Sequence, residues 1–176
     1  ADALFDVLQV LGWLPSAMGE PWQEYGDALR SHGRMLVLRV PVEGSSGTKG
    51  VEGWTTREHL TRLQAVFPKT HVIAGLQDSL STSLEKESVT AESAARDVVQ
   101  GWMPHIGPVT ACELAWKLSI PTALVQQALL QLEREGQVLR GNFRSSSRLE
   151  ASTGSSTREE RGNDKQAFEE EWCDRS

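Results

Sequence analysis

The amino-acid sequence predicts an α+β fold, and three observations carry that expectation. Apolar residues recur at helical spacing, as at Leu4, Val7, Leu8 and Leu11. Residues 34–42 alternate as a strand does, with Leu36 and Leu38 on one face and Met35, Val37 and Arg39 on the other. Residues 107–144 run in the order capped helix, tight turn, second amphipathic helix, glycine, strand. The expected organisation is a small helix and β-hairpin unit at residues 1–76, a linker at 77–92, and a second unit at 93–176 that carries a Ser-rich insertion at 145–167.

Each element has a local reason. The first helix spans residues 2–14 and is ended by Gly12 and Pro15. A second, at residues 21–32, opens with Pro21 and closes at Gly33, the usual asymmetry of helix ends. After the strand at 34–42, a Gly/Ser/Lys loop at 43–50 returns the chain into a second strand at 51–54. Thr55 and Glu58 have the spacing of a capping box for a helix that runs to Phe67 and is stopped by Pro68. Residues 77–92 are rich in Ser, Thr and Glu and read as the linker.

The second unit starts with a helix at 91–103 that turns Ala95, Val98, Val99 and Trp102 inward. Thr110 and Glu113 form another capping box and fix the start of the next helix, whose core face is Leu114, Ala115 and Leu118. Ser119-Ile120-Pro121 is the turn. The third helix buries Leu124, Val125, Ala128, Leu129 and Leu132 and ends at Gly136. Residues 137–144 make a strand, and residues 168–173 pair back on it. This is the order of a helix-turn-helix followed by the wing of a winged-helix domain. Residues 145–167 hold almost nothing apolar, so the composition predicts a long disordered wing loop.

Charge limits the function classes. The net charge is −6, and only residues 93–144 are net positive, with five basic against four acidic side chains. A partner of this chain is therefore not held mainly by charge, since phosphate contacts need a basic footprint. Cys112 and Cys173 are too few for a disulfide scaffold or a zinc site and read as buried thiols in a reducing compartment. No apolar run approaches the ~20 residues that span a bilayer, and no signal-peptide pattern opens the chain, so a cytoplasmic protein without membrane contact is expected. The start at Ala1 suggests a fragment or processed product.

The search for catalytic chemistry is mostly negative. The stretch from Gly44 to Gly50 contains Lys49 but not the spacing of a phosphate-binding P-loop. His32, His59, His71 and His105 are scattered, and Glu169, Glu170 and Glu171 read as a solvated strand edge. Binding is better represented. The third helix turns Thr122, Gln126, Gln127, Leu130, Gln131 and Arg134 outward, and glutamines suit base edges. Lys117, Arg140 and Arg144 are placed to meet phosphates. The weakly basic character of this face favours packing on another domain over reading duplex sequence. Of six tryptophans most belong in the core. Trp54, at a strand end with Arg57 nearby, is the one weighed as a stacking surface for a single-stranded base, although burial under the next helix competes with that role.

These residues resemble a family. The runs Gly107-Pro-Val-Thr110, Glu113-Leu-Ala, Pro121-Thr-Ala-Leu-Val, Leu132-Glu-Arg-Glu-Gly136-Gln-Val-Leu-Arg-Gly141 and Glu171-Trp172-Cys173-Asp174-Arg175 look like the accessory region of Lhr-type (large helicase-related) superfamily 2 DNA helicases. Leu4-Phe5-Asp6-Val7-Leu8 and the stretch from Gly53-Trp54 to Phe67 are similar to the part that precedes it. The resemblance implies an accessory, nucleic-acid-binding segment of an ATP-dependent 3′-to-5′ DNA helicase that guides single-stranded DNA. The candidate nucleic-acid contacts, read from the residues above, are Trp54, Arg57, Lys117, Gln126, Gln127, Arg140 and Arg144. ATP and Mg would belong to motor domains of the same polypeptide, because this chain has no motor motif. The alternatives are a winged-helix scaffold for domain or subunit contacts and a free-standing winged-helix transcription regulator.

Overall fold

The computed structural model describes residues 1–41, 50–75, 89–144 and 170–175. The expected 43–50 loop, most of the 77–92 linker and the 145–167 insertion lie outside or almost wholly outside these residues. Within them the chain is a mixture of helices and two antiparallel sheets, as the α+β expectation requires.

Helix α1 (Asp2–Leu11) buries Leu4, Leu8 and Leu11 and ends at Gly12, whose φ of 69° breaks the helix without a Cβ clash. Val7 was expected on the same inward stripe but is 43% exposed. It lies at the stripe's margin, beside Trp22 and Tyr25 in a shallow apolar depression. Strand β1 (Leu14–Pro15), a short helix α2 (Ser16–Gly19), a 3-10 turn (Glu20–Trp22) and α3 (Gln23–Ser31) follow. Gly33, at φ 66°, closes α3 by letting the Arg34 N–H reach the Leu29 carbonyl at 3.0 Å.

Strands β2 (Leu36–Pro41) and β3 (Gly50–Thr55) pair antiparallel from Leu36 opposite Thr55 to Pro41 opposite Gly50. A 3-10 turn (Arg57–His59) leads into α4 (Leu60–Val66), and Phe67 caps it before β4 (His71–Ala74). Strands β1 and β4 widen the hairpin into a four-stranded sheet of order β1-β3-β2-β4. Thr55 does not cap a helix. It stays in β3, and its buried hydroxyl donates to the Gly12 carbonyl at 2.6 Å. Thr56 takes the cap position instead, without a side-chain capping bond. The ladder with β2 and the free carbonyl at the end of α1 outcompete the local capping geometry.

The second half begins with α5 (Ala91–Trp102), capped by the Thr90 hydroxyl, which accepts the Ser93 N–H at 3.2 Å. A 3-10 turn (Met103–His105) precedes β5 (Val109–Thr110), α6 (Ala111–Leu118), α7 (Thr122–Arg134), β6 (Val138–Gly141) and β7 (Glu171–Asp174). Helix α6 starts at the predicted capping box. The Thr110 hydroxyl accepts the Glu113 N–H at 3.2 Å, and the Glu113 carboxylate accepts the Thr110 N–H at 2.8 Å. Both α6 and α7 end in the closure used by α3. Ser119, at φ 57°, lets the Ile120 N–H reach the Ala115 carbonyl at 3.2 Å. Gly136, at φ 73°, does the same for the Gln137 N–H and the Leu132 carbonyl at 2.9 Å. Strand β7 lies between β5 and β6, with Trp172 opposite Val109 on one side and Arg140 on the other.

One continuous hydrophobic core joins the two halves. Trp13, fully buried, sits at the seam. Its indole N–H donates to the Leu118 carbonyl at 3.0 Å, and its own carbonyl accepts the Trp102 indole N–H at 2.9 Å. Its ring lies 5.8 Å from that of Phe67. A Cβ at Gly53 would fall 2.4 Å from the edge of the Trp13 ring and 2.8 Å from the Leu14 carbonyl oxygen. Two outcomes follow in denaturant titrations. Trp13→Ala lowers stability by about 3–5 kcal/mol, and Gly53→Ala lowers it by about 1–3 kcal/mol through overpacking. The native chain unfolds in one transition by all probes; separate transitions for the two halves would refute the shared core.

Candidate nucleic-acid interface

The base of the β6–β7 ladder is held by charge. Arg144 presents its guanidinium to Glu113 in a two-pronged contact, Nη1 to Oε1 at 2.9 Å and Nη2 to Oε2 at 2.7 Å. Its Nε donates to Glu171, whose second oxygen also accepts the backbone N–H groups of Phe143 at 2.7 Å and Arg144 at 2.8 Å. Glu113 is thus shared between the capping box of α6 and the chain after β6. The Arg144 bond, followed by that from the Thr110 backbone, holds the Glu113 carboxyl down to about 2. The two carboxylates in turn raise Arg144. Glu171 departs from the solvated strand edge expected for it, since it is only 8% exposed and lies at the centre of these bonds.

Arg140 is likewise engaged. Its Nε donates to Glu133 at 3.1 Å, its Nη1 to Glu170 at 3.1 Å, and its guanidinium lies 5.5 Å over the Trp172 ring. The sequence placed Arg140 and Arg144 as phosphate contacts, but in the folded chain both are already paired with carboxylates. A phosphate would have to displace those partners. On α7, Gln126, Gln127, Gln131 and Arg134 are exposed as expected. Gln131 is turned to Glu135 at 3.1 Å, and Glu135 is itself bound by Arg96.

Trp54 does not offer a stacking face. It is 3% exposed, and its ring is seated against Gly19 and Gly26, where an added Cβ would fall 2.6 Å and 3.2 Å from it. The short glycine-containing turns of α2 and α3 let the backbone close over the ring. Arg57 is exposed but belongs to a separate depression with Phe5, His32, Arg34 and Glu58. The structure therefore does not bring Trp54 and Arg57 together with Lys117, Gln126 and Gln127 as one surface.

A different tryptophan is exposed. Trp116, on α6, is 85% accessible. With Lys117 it borders an open groove of about 660 Å³ between α6, the turn into α7, and the first half of the chain. Met18, Phe67, Pro68, Ile120 and Pro121 supply much of its apolar wall. Trp116 had been counted among residues suited to the core. The signal that separates it lies in helix periodicity: Leu114, Ala115 and Leu118 define the buried face of α6, and position 116 falls off that face.

Among the described residues no group of three or more His, Cys, Asp or Glu could hold a metal ion, and no helix is long and apolar enough to cross a membrane. No protein-family model, curated protein or solved structure matches the chain.

The Glu113 contacts predict a pH dependence. A carboxyl lowered from its ordinary 4.5 to about 2 adds stability above pH 4.5, and this stability is lost as pH falls from there through 2. The side chain is 48% exposed, so solvent screening limits the effect to about 1 kcal/mol. In urea titrations at fixed pH, Glu113→Gln should cost about that much at pH 7, and the gap to the native chain should close between pH 4.5 and 2. A gap independent of pH would refute the assignment.

Proposed function

We propose that the second half of the chain is a winged-helix module and that the chain is an accessory nucleic-acid-binding segment of an Lhr-type ATP-dependent 3′-to-5′ DNA helicase. The observation that carries this reading is β7. The Glu171–Asp174 strand lies between β5 and β6, pairing antiparallel with both. Three helices with such a sheet are the parts a winged helix needs, and α6, α7 and the three strands contain the motifs that carry the resemblance. In this reading the segment guides single-stranded DNA beside the motor domains of the same polypeptide. ATP and Mg act in those domains, and the residues described here take no step in hydrolysis.

The pattern of paired arginines shapes the mode of binding. Arg140 and Arg144 are neutralised from within, whereas Lys117 on α6 and Arg134 on α7 have no ion pair among the described residues. Binding then depends little on charge and does not read duplex sequence. A scaffold role, with α7 packed on another domain, is the second reading, and the same arginine pairing favours it.

Fluorescence anisotropy with labelled single-stranded and duplex DNA separates the two. The accessory reading expects binding to single strands at low salt, with log K against log salt sloping by only about −0.7 to −1.4, as for one or two phosphates. It also expects Gln126→Glu combined with Gln127→Glu to weaken that binding. The absence of single-strand binding at low salt would leave the scaffold reading standing.

A further inference from the structure

We infer that the groove beside Trp116 is a stacking site for a base of single-stranded nucleic acid, with Lys117 meeting the adjoining phosphate. The inference rests on the nucleic-acid reading above and assigns its location. An indole 85% exposed, on a helix whose other large apolar residues are buried, is not packed into the core of the described residues. The ring borders a groove walled by proline, methionine and phenylalanine side chains, surfaces that suit the flat faces of bases.

Charge identifies the occupant. Arg30, Arg34, Arg39, Arg96, Arg140 and Arg144 all have carboxylate partners. Among the described residues Lys117 has no ion-pair partner, and no aspartate or glutamate lines the groove. In a chain of net charge −6, the described residues of this surface present a cation and no anion. One aromatic face beside one cation matches a single nucleotide, a base plus its phosphate. It does not match a duplex, whose bases are already stacked on one another. Thr122 and Gln126, one helical turn apart on α7, carry the polar surface onward from the groove.

The test uses the full chain and two fluorescein-labelled probes, oligo(dT) and an abasic oligomer with the same phosphates. The native chain should bind oligo(dT) more tightly than the abasic probe. Trp116→Ala should weaken oligo(dT) binding by about 5- to 100-fold, the loss one base–aromatic stack carries, and leave the abasic probe unaffected. Trp116→Phe should retain part of the affinity, whereas Lys117→Gln should weaken both probes and make the salt slope shallower by about 0.7. Trp22→Ala, at another exposed tryptophan, should change neither. Thermal melts of Trp116→Ala should match the native chain, because the side chain is outside the core. Equal oligo(dT) affinity in Trp116→Ala and the native chain overturns the inference; if the α7 glutamine variants still lose binding, the accessory reading survives. Loss of a protein-domain contact in Trp116→Ala without loss of oligo(dT) binding also overturns it, in favour of an apolar protein segment in the groove. No single-strand binding by the native chain removes both.

Discussion

The arrangement of the two halves depends on the hydrogen bond from the Trp13 indole to the Leu118 carbonyl. The last carbonyls of a helix have no partner inside it, and a buried one must find a donor elsewhere. Leu118 is fully buried at the end of α6, and the donor comes from a residue 105 positions earlier in the chain. The same tryptophan accepts the Trp102 indole N–H through its backbone, so α5 and α6 are both referenced to one residue just after α1. Thr55 extends the arrangement by donating to the neighbouring Gly12 carbonyl. The two tryptophan bonds cross the seam, as does the Arg62–Asp97 ion pair at 3.7 Å, and a rotated seam would leave both indole donors unsatisfied. The floor and lip of the Trp116 groove come from opposite sides of that seam, so its shape follows from the same bonds.

Electrostatics act in a different way in the second half. A helix cap, a strand end and the residue after another strand are joined through Glu113, Arg144 and Glu171. Charge that looks available for phosphate in the sequence is thereby used to hold the sheet together. Stacking and shape then have to carry more of any nucleic-acid contact, since exposed ion pairs already satisfied within the protein offer little to a further anion.

The sequence made legible what is set by neighbours in the chain. The Thr110–Glu113 box, the ends of α3 and α7 at glycines and the buried stripes of α5 and α7 follow from local spacing. The Ser119 turn was visible as a turn, although its left-handed backbone was not, because serine is an uncommon residue there. Decisions made by distant partners were hidden. Thr55 had capping spacing but its register opposite Leu36 governs it. The two residues of β1 are too few to show alternation, and β4 owes its strand form to pairing with β2. Trp54 is buried because glycines from α2 and α3 close over its ring, which the spacing around it does not encode. Helical phase alone did separate Trp116 from the core of α6, and that information was present in the sequence.

Arg144 and Glu171 also bracket the stretch that separates β6 from β7. Chain-closure entropy rises only logarithmically, by about 0.6 kcal/mol for each doubling of loop length. Once the two ends are clamped by an ion pair and two backbone hydrogen bonds, the number of residues between them has little thermodynamic leverage on the sheet. The closure cost of the β6–β7 pairing therefore depends more on these clamps than on the length of chain they bracket.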